Sequence, residues 1–391
     1  MFTDTDCAAQ RFTLRDATLG HAVLARRARR SLTSDAAFFR RELQDLLPMN
    51  LPLRFGVAHD FRCPPGSPYT MQDVYAQTLE QVRLLDAAGL DLVWFSEHHF
   101  VDDGYLPSFV PVAAAVAAQT SRIRISTDIA LLPFAHPLRL AEDLAVLEQI
   151  SNGRMELGAG LGYAPHEFAT FGIPVAQRVS RTEECLQILQ LAFAGERFSF
   201  HGKRYQFDDV RITPGYVQAG GPPLWIASTN PLAMERALRF NAHLLPQGPR
   251  SQTLDNWRVR LRETGRDPER YRVGIIRSFY VTDDRERDWP ALRAAERYRM
   301  HVYGGFSTAA GTGGPAQFAA ADRINQRVVA GTVDECVTEL VRFIREYGLT
   351  DVVTWGSAPG VVPAQMTPMM LRFATEVVPR VRVAIAGDAG G

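Results

Sequence analysis

From residue 53 onward, the sequence alternates between short apolar segments typical of strands and longer segments with helical spacing. The strand-like segments are 53–57, 92–95, 123–132, 154–158, 224–226, 243–245, 273–281 and 351–355. Helical stripes lie between them, such as the one formed by Val333, Val337 and Ile344. Eight strands that each precede a helix predict an α/β fold, a (β/α)8 barrel of parallel strands. A doubly wound sheet is disfavoured because Gly56-Val57-Ala58-His59 is not a phosphate-binding fingerprint.

Composition indicates an ordinary soluble globular protein rather than a nucleic-acid-binding or membrane protein. The chain has 391 residues, 46% of them hydrophobic, and a formal net charge of +0. A neutral balance offers no long-range attraction to nucleic acid or anionic lipid, and no apolar run reaches the roughly 18 residues of a membrane span. The four cysteines lie far apart without a Cys-x-x-Cys pair, which favours a cytoplasmic location over a zinc or disulfide scaffold.

The first 52 residues differ from the rest and are predicted to form a helical extension. Arginine pairs punctuate Ala- and Leu-rich stretches there, interspersed with acidic residues. The mixture of charges favours a solvated helix or an oligomer arm over a nucleic-acid or membrane contact.

Polar residues cluster after several predicted strands, where the chemistry of such barrels is found. Glu97-His98-His99 follows the second strand, and burying such groups is costly unless they are satisfied. Gly160-Leu161-Gly162-Tyr163 follows the fourth strand and permits close backbone approach, whereas Ser228-Thr229-Asn230 offers donors at the start of a helix. The last two segments together favour a ligand that carries a phosphate.

A metal site built from Glu97, His98, His99 and His59 is the main alternative for this cluster. Adjacent histidines on a strand point to opposite sides, so only one can face the barrel mouth. We therefore predict no metal. His59 is equally compatible with a hydrogen-bonded core position and with a pocket. The aromatic residues near the strand ends suit a flat conjugated ligand.

An ordered series of short motifs resembles the bacterial luciferase-like flavin monooxygenases, most closely the luciferase α-subunit branch. The series covers about residues 53 to 380 with near-constant spacing. Its segments are Arg54-Phe55-Gly56, Pro64-Pro65-Gly66, Glu97-His98-His99-Phe100, Leu132-Pro133-Phe134-Ala135-His136-Pro137, Gln149-Ile150-Ser151-Asn152-Gly153-Arg154, Glu167-Phe168-Ala169-Thr170-Phe171-Gly172, Ser180-Arg181, Pro223-Leu224-Trp225-Ile226-Ala227 and Glu376-Val377-Val378-Pro379.

The resemblance implies a domain plan and an activity. The barrel would span 53–382 with an insertion after strand seven at about 283–329, whose segment 303–314 resembles a mobile lid, and 383–391 would be a flexible tail. The family's activity implies reduced FMN and O2, a flavin C4a-(hydro)peroxide, and oxygenation of a mid-sized, hydrophobic organic substrate. A separate NAD(P)H:flavin reductase and a homodimer are the expected partners.

The resemblance also assigns residues to roles. His98 matches the catalytic histidine, a general base or acid. Thr127-Asp128-Ile129 matches a segment under the flavin ring that often holds a non-proline cis peptide. Arg181, Thr229 and Asn230 match positions that hold the phosphate. The remaining cofactor-binding predictions are Ala58, Glu97, Gly160, Gly162, Tyr163, Ser180 and Ser228, and His59, Phe100 and Tyr105 are predicted to contact substrate.

Two departures from luciferase leave the cofactor open. The phosphate-binding arginine of the fourth-strand loop is replaced by Leu161, and the acid at the end of the fifth strand by Thr229. These changes predict a non-luminescent member. They also keep an F420-dependent dehydrogenase or reductase as the alternative function, with F420 as the alternative cofactor. A non-catalytic subunit, the third hypothesis, is disfavoured because such a subunit would lose the histidine at His98.

Overall fold

The fold was described from a computed structural model that covers residues 51–228, 230–247, 251–312 and 328–387. Its strands, in chain order, are β1 Arg54–His59, β2 Leu92–Phe95, β3 Arg124–Thr127, β4 Ala130–Leu131, β5 Leu157–Gly160, β6 Phe198–His201, β7 Gln206–Val210, β8 Leu224–Ser228, β9 His243–Pro246, β10 Gly274–Ile276, β11 Ser278–Val281, β12 Val328–Gly331 and β13 Asp351–Trp355.

Helices follow most of these strands. They are α1 Met71–Ala87, α2 Phe109–Gln119, α3 Pro137–Ser151, α4 Pro165–Thr170, α5 Arg178–Phe193, α6 Pro231–Arg239, α7 Ser251–Glu263, α8 Arg285–Ala309, α9 Val333–Tyr347, α10 Pro363–Arg372 and α11 Val378–Gly387, with a π-helical turn Phe373–Val377 between the last two. None of the helices in the described ranges is long and apolar enough to cross a membrane.

Parallel pairing closes the strands into the predicted (β/α)8 barrel. One sheet has the order β10-β13-β1-β2-β3, and another contains β5-β8-β9. Bridges between Ile125 and Met155 and between Leu244 and Val273 join the two sheets on both sides. The second half of strand seven, β11, pairs in parallel with β12. The carboxyl ends of all the barrel strands therefore open at one mouth.

Alternation along the strands separates two apolar layers. Trp94 and Trp225 point inward and fill the barrel together with Trp355, and the rings of Trp94 and Trp225 meet at 5.9 Å. Phe95, the next residue of β2, lies in the larger outer cluster between barrel and helices. The same alternation continues just beyond each strand, so that neighbouring side chains face the barrel axis and the helices in turn. It therefore determines which polar side chains reach the mouth.

A buried charge network lies at the opposite end of the barrel. Arg54, the first residue of β1, bonds Glu156 and Asp351, each at 2.6 Å, and Arg124 also bonds Glu156. Burial raises the pKa of Glu156, but the charges of Arg54 and Arg124 outweigh it and hold that pKa at about 2. This end of a barrel serves stability rather than catalysis.

The predicted elements match closely, with four differences. The third and seventh predicted strands are each divided, into β3 and β4 and into β10 and β11. The Asp128–Ile129 peptide between β3 and β4 is cis, as the resemblance implied. The antiparallel hairpin β6–β7 was not predicted. The predicted boundary at 383 is too early because α11 continues to Gly387. The predicted extension lies almost wholly in residues 1–50, outside the described ranges, as do 388–391 of the predicted tail.

The fourth difference concerns the insertion after strand seven. The segment 303–314, predicted as a mobile lid, is helical over its first seven residues because α8 continues through them to Ala309; residues 313 and 314 lie outside the described ranges. Buried contacts hold this helix over the mouth. Arg299 ion-pairs with Asp60 at 3.4 Å, and the Tyr298 hydroxyl donates to Asp103 at 3.0 Å. The insertion also includes β12, whose range crosses the predicted end at 329.

Candidate active site

A histidine–carboxylate pair lies just beyond β2, at the barrel mouth. His98 Nδ1 is 2.8 Å from Oε1 of Glu167, which is fully buried in α4. The same oxygen accepts the backbone N–H of His99 at 2.9 Å. A carboxylate on Nδ1 favours the tautomer whose proton is on that nitrogen. Nε2 then carries a lone pair, and no group in the described ranges hydrogen-bonds it.

Aromatic rings surround the His98 imidazole. The ring centres of Phe306 and Tyr105 lie 4.8 and 4.9 Å from it, and those of Tyr163 and Tyr303 lie 5.8 and 6.0 Å away. Tyr105 and Tyr163 come from loops of the barrel, whereas Tyr303 and Phe306 come from α8. The imidazole therefore lies among flat, largely apolar surfaces that suit a planar ligand.

The two histidines after β2 have separate partners, which fits the prediction that only one faces the mouth. His99 Nε2 is 2.9 Å from Oε1 of Glu97, and the carbonyl of His99 is 3.0 Å from Nε2 of His166. Across the described ranges, no group of three or more His, Cys, Asp or Glu is arranged to hold a metal ion.

Two arginines without carboxylate partners flank the first turn of α5. Arg181 donates to the Tyr205 hydroxyl at 3.3 Å, and Arg204 in the β6–β7 turn donates to Ser180 Oγ at 2.8 Å. The turn is fixed because Glu184 accepts the backbone N–H of Arg204 and Tyr205. No described carboxylate lies within the 4.0 Å ion-pair limit of either guanidinium, so this cationic cluster at a helix N-terminus can bind an anion.

The cluster faces the mouth rather than the barrel's far end. Helix α5 packs against the turn Leu132–Phe134 that follows β4, and the Tyr205 hydroxyl lies 3.4 Å from the carbonyl of Ala135. At the neighbouring strand end, Asn230 caps α6 by accepting the N–H of Ala233 at 3.1 Å, and Ser228 Oγ donates to the Asn230 carbonyl at 3.4 Å. Thr229, predicted to hold the phosphate, lies outside the described residues.

The predicted ring-binding residues lie at the ends of β3 and β5. Thr127 Oγ1 bonds both the carbonyl and the N–H of Gly158, so it joins the two strands. Asp128 accepts from Gln247 at 3.3 Å, and burial raises the pKa of its carboxyl to about 6. A side chain at Gly160 would collide with Ile129, and Gly162 has a φ of +67° that favours glycine.

Three predicted residues lie away from the imidazole. Ala58 is buried within the tryptophan cluster of the barrel interior. His59 points the opposite way, and its ring lies against Gly356, close to Gln81 of α1. Both His59 nitrogens lack hydrogen-bond partners among described residues, and burial lowers the pKa of this histidine to about 4. We therefore exclude His59 from the candidate site. Phe100 is 54% exposed on the outer surface.

Four residues of the site, Glu167, Arg204, Tyr303 and Phe306, were not assigned a role from the sequence. Glu167 occurs in a quoted motif, but nothing local links it to His98, 69 positions earlier. Arg204 depends on the hairpin that was not predicted. Tyr303 lay in the predicted loop. Only the hairpin had a local signal, the alternation in Phe198-Ser199-Phe200 before Gly202.

Sequence comparisons identify the family of this fold and site. The family description "luciferase-like monooxygenase" matches residues 53–351. The chain belongs to the luciferase-like monooxygenase family. A 4-hydroxyprotoasukamycin monooxygenase of Streptomyces nodosus subsp. asukaensis is 30% identical over 71% of this chain and 80% of its own length. The oxygenase component of the flavin-dependent trigonelline monooxygenase of Acinetobacter baylyi is 26% identical over 56% of this chain and 62% of its own. The chain spans 52% to 62% of the length of several curated relatives it matches.

Solved structures of luciferase-like proteins share the fold. The monooxygenase RslO1 of Streptomyces bottropensis has a TM-score of 0.71 and 25% identity, over 84% of this chain and 99% of its own. The oxygenating constituent of 3,6-diketocamphane monooxygenase of Pseudomonas putida, a type II Baeyer–Villiger monooxygenase solved with FMN, has a TM-score of 0.70 and 20% identity, with coverages of 85% and 99%. An F420-dependent secondary alcohol dehydrogenase has a TM-score of 0.68 and 19% identity, over 85% of this chain and 99% of its own. The last two likenesses show the fold alone.

Proposed function

We propose that this protein is the oxygenase of a two-component system, which uses reduced FMN and O2 to oxygenate a mid-sized, hydrophobic and planar organic substrate. The main support for the proposal is the pair formed by Glu167 and His98 at the barrel mouth. Nε2 of His98 has no hydrogen-bond partner among the described residues, and aromatic rings surround the imidazole. Within a family of flavin-dependent monooxygenases, this arrangement suits a base beside a flat cofactor and a flat substrate.

The residues at the mouth fit FMN. Arg181, Arg204 and Ser180 would hold its phosphate, because two guanidinium groups without a described carboxylate partner and a hydroxyl meet at the first turn of α5. The ends of β3 and β5 would lie against the flavin ring, where Ile129 packs closely on Gly160. F420 also carries a phosphate, so this cluster supports a phosphorylated flavin and does not separate the two cofactors.

The chain's own contribution is to orient and move a proton. When bound, the reduced flavin supplies the electrons that activate O2. Glu167 keeps the proton on Nδ1 of His98, so Nε2 accepts a proton from the substrate side. The resulting imidazolium is stabilised by the buried carboxylate 2.8 Å away, as in other histidine–carboxylate pairs. Phe306 and Tyr163 cover the imidazole and limit its contact with water.

A separate NAD(P)H:flavin reductase is the proposed partner. The Acinetobacter relative is the oxygenase component of its monooxygenase, which supports a separate reductase component here. The homodimer and the cytoplasmic location stay predictions from the sequence.

Oxygen uptake with externally reduced FMN tests the proposal. The protein is mixed anaerobically with reduced FMN and then with aerated buffer and a panel of planar ketones and phenols. We expect a product that carries one atom from ¹⁸O2, and loss of that product in His98→Ala, with flavin binding retained. Reduction or oxidation of F420 with an alcohol in place of this reaction would establish the dehydrogenase alternative. Product formation by His98→Ala at the wild-type rate would refute the role of His98.

A further inference from the structure

A line of three hydroxyl groups runs beside the His98 imidazole. Ser96 Oγ lies 2.6 Å from the Tyr105 hydroxyl, which lies 2.8 Å from the Tyr303 hydroxyl. We name these three groups the hydroxyl chain. Ser96 and Tyr105 come from the barrel, and Tyr303 comes from α8, 198 positions further along the sequence. Ser96 and Tyr105 are almost fully buried, so the chain's hydrogen bonds must be accounted for.

The hydroxyl chain has one proton more than its internal bonds use. Three hydroxyls carry three protons, and the two bonds between them consume two. The third is left on one of the three hydroxyls, and it is the proton of Tyr303 when Ser96 donates to Tyr105 and Tyr105 donates to Tyr303. Neither end has another hydrogen-bond acceptor among the described residues. The end at Tyr303 adjoins the His98 ring, 6.0 Å away centre to centre.

The two phenols are donors rather than bases. Burial raises the pKa of Tyr105 well above its ordinary value, and burial also raises that of Tyr303. Both therefore stay protonated at neutral pH. The Arg62 guanidinium lies 4.2 Å from the Tyr105 ring and 5.1 Å from the Tyr303 ring. Its three nitrogens are buried without hydrogen bonds, and Asp60 and Asp103 are 3.3 and 3.7 Å away. This positive charge favours electron-rich oxygen near the hydroxyls.

The imidazole ring of His98, whose centre lies 6.0 Å from that of the Tyr303 ring, supplies an acceptor. Nε2 of His98 carries a lone pair when Nδ1–H is donated to Glu167. A ligand oxygen placed between the two rings would therefore meet one donor, Tyr303, and one acceptor, His98. A ketone oxygen only accepts, and an ether oxygen likewise. A hydroxyl oxygen accepts and donates at once, so it is complementary to both groups.

We propose that Tyr303, held by Tyr105, donates a hydrogen bond to the phenolic oxygen of an aromatic substrate whose hydroxyl proton is directed at Nε2 of His98. The surrounding rings of Tyr163 and Phe306 favour an aromatic hydroxyl over an aliphatic one. This assignment rests on the proposed function, since it names the substrate class of the same site. It makes Tyr303 a specificity residue supplied by the inserted helix.

Binding of two matched probes to the full-length protein tests the assignment. 4-Nitrophenol carries the phenolic oxygen, and nitrobenzene has the same ring without it. Dissociation constants are measured for both by quenching of tryptophan fluorescence, without flavin. Tyr303→Phe removes the donor and keeps the ring. Tyr216→Phe is the matched control, because it removes the hydroxyl of another tyrosine, one that donates to the carbonyl of Ala141 in α3 outside the hydroxyl chain.

We expect Tyr303→Phe to raise the dissociation constant of 4-nitrophenol about tenfold, because one hydrogen bond is lost, and to leave that of nitrobenzene unchanged. Tyr216→Phe should change the binding of neither probe. Equal weakening of both probes in Tyr303→Phe would show that the residue only shapes the pocket and would overturn the proposal. Unchanged binding of 4-nitrophenol would overturn it too. Because no flavin or O2 is present, this result is independent of the oxygenation assay. Failure of that assay alone would refute the oxygenase function but not the phenol site.

Discussion

Replacing Arg204 by Gln should weaken the binding of FMN but not of riboflavin. The guanidinium lies at the first turn of α5 with its Nε 2.8 Å from Ser180 Oγ, and no described carboxylate neutralises it. Riboflavin has the same ring system without the phosphate. If Arg204 contacts the phosphate, its replacement should weaken the binding of FMN and not that of riboflavin. If Arg204 only supports the fold, its replacement should weaken the binding of both.

The magnitude follows from the type of contact that is lost. A hydrogen bond to a charged group contributes about 1.5–3 kcal/mol, which corresponds to about a 10- to 150-fold change in dissociation constant. Arg204 is partly exposed, so solvent screening places the expected loss toward the lower end of that range, about tenfold. Arg181 remains in the variant and keeps part of the site.

Anaerobic equilibrium dialysis against reduced FMN and reduced riboflavin measures both constants, with bound flavin quantified by absorbance after reoxidation. Arg197→Gln is the matched control, because Arg197 precedes the same hairpin but pairs with Asp209 on the exposed surface. Equal loss of affinity for both flavins, or the same loss in the control, would refute a phosphate site at this helix. Raised salt should weaken the binding of FMN more than that of riboflavin in the wild type. This difference in salt dependence should be smaller in Arg204→Gln.

Three further outcomes follow from buried groups. Glu167→Gln should lower kcat for product formation about 10- to 100-fold, because the imidazolium formed during proton transfer loses its buried carboxylate; an unchanged kcat would contradict the pairing. Glu156, with its pKa held at about 2, should stabilise the fold above about pH 4.5 and lose that contribution as the pH falls toward 2. Urea unfolding should therefore show a flatter acid dependence for Glu156→Gln. Burial lowers the pKa of His59 to about 4, so this histidine stays neutral in the folded protein down to that pH. In the unfolded chain it gains a proton below about pH 6.5. The free energy of unfolding should therefore decrease as the pH is lowered from about 6.5 to about 4. His59→Leu should reduce that fall, and an unchanged slope would show that another group causes it.

Local sequence patterns predicted the barrel because its strands are short apolar segments with clear ends. The predicted segments 92–95 and 351–355 coincide with β2 and β13. The separation of His98 from His99 also followed from local geometry, since alternation requires it. The same rule explains why His59 is not at the mouth: Ala58 points into the barrel, so its neighbour must point toward α1.

Contacts between distant segments were not predictable in the same way. The carboxylate that bonds His98 belongs to Glu167, 69 positions later in the chain. From the sequence alone, many other acidic residues could equally have been its partner. Arg204 reaches Ser180 only because Glu184 binds three successive backbone N–H groups of the hairpin turn. No periodicity encodes such a contact, since its partners are set by tertiary packing.

Helix α8 shows how tertiary contacts can reverse a local preference. Gly304-Gly305 costs a helix about 1 kcal/mol per glycine, which is why the sequence predicted a loop there. The fold offsets this cost with polar contacts made just before the two glycines, from Arg299 to Asp60 and from Tyr303 to Tyr105. These contacts exist only when the helix lies across the barrel mouth. The groups that make the segment helical therefore also bring Tyr303 and Phe306 to His98, so the insertion, and not the barrel alone, determines which ligand the imidazole can meet.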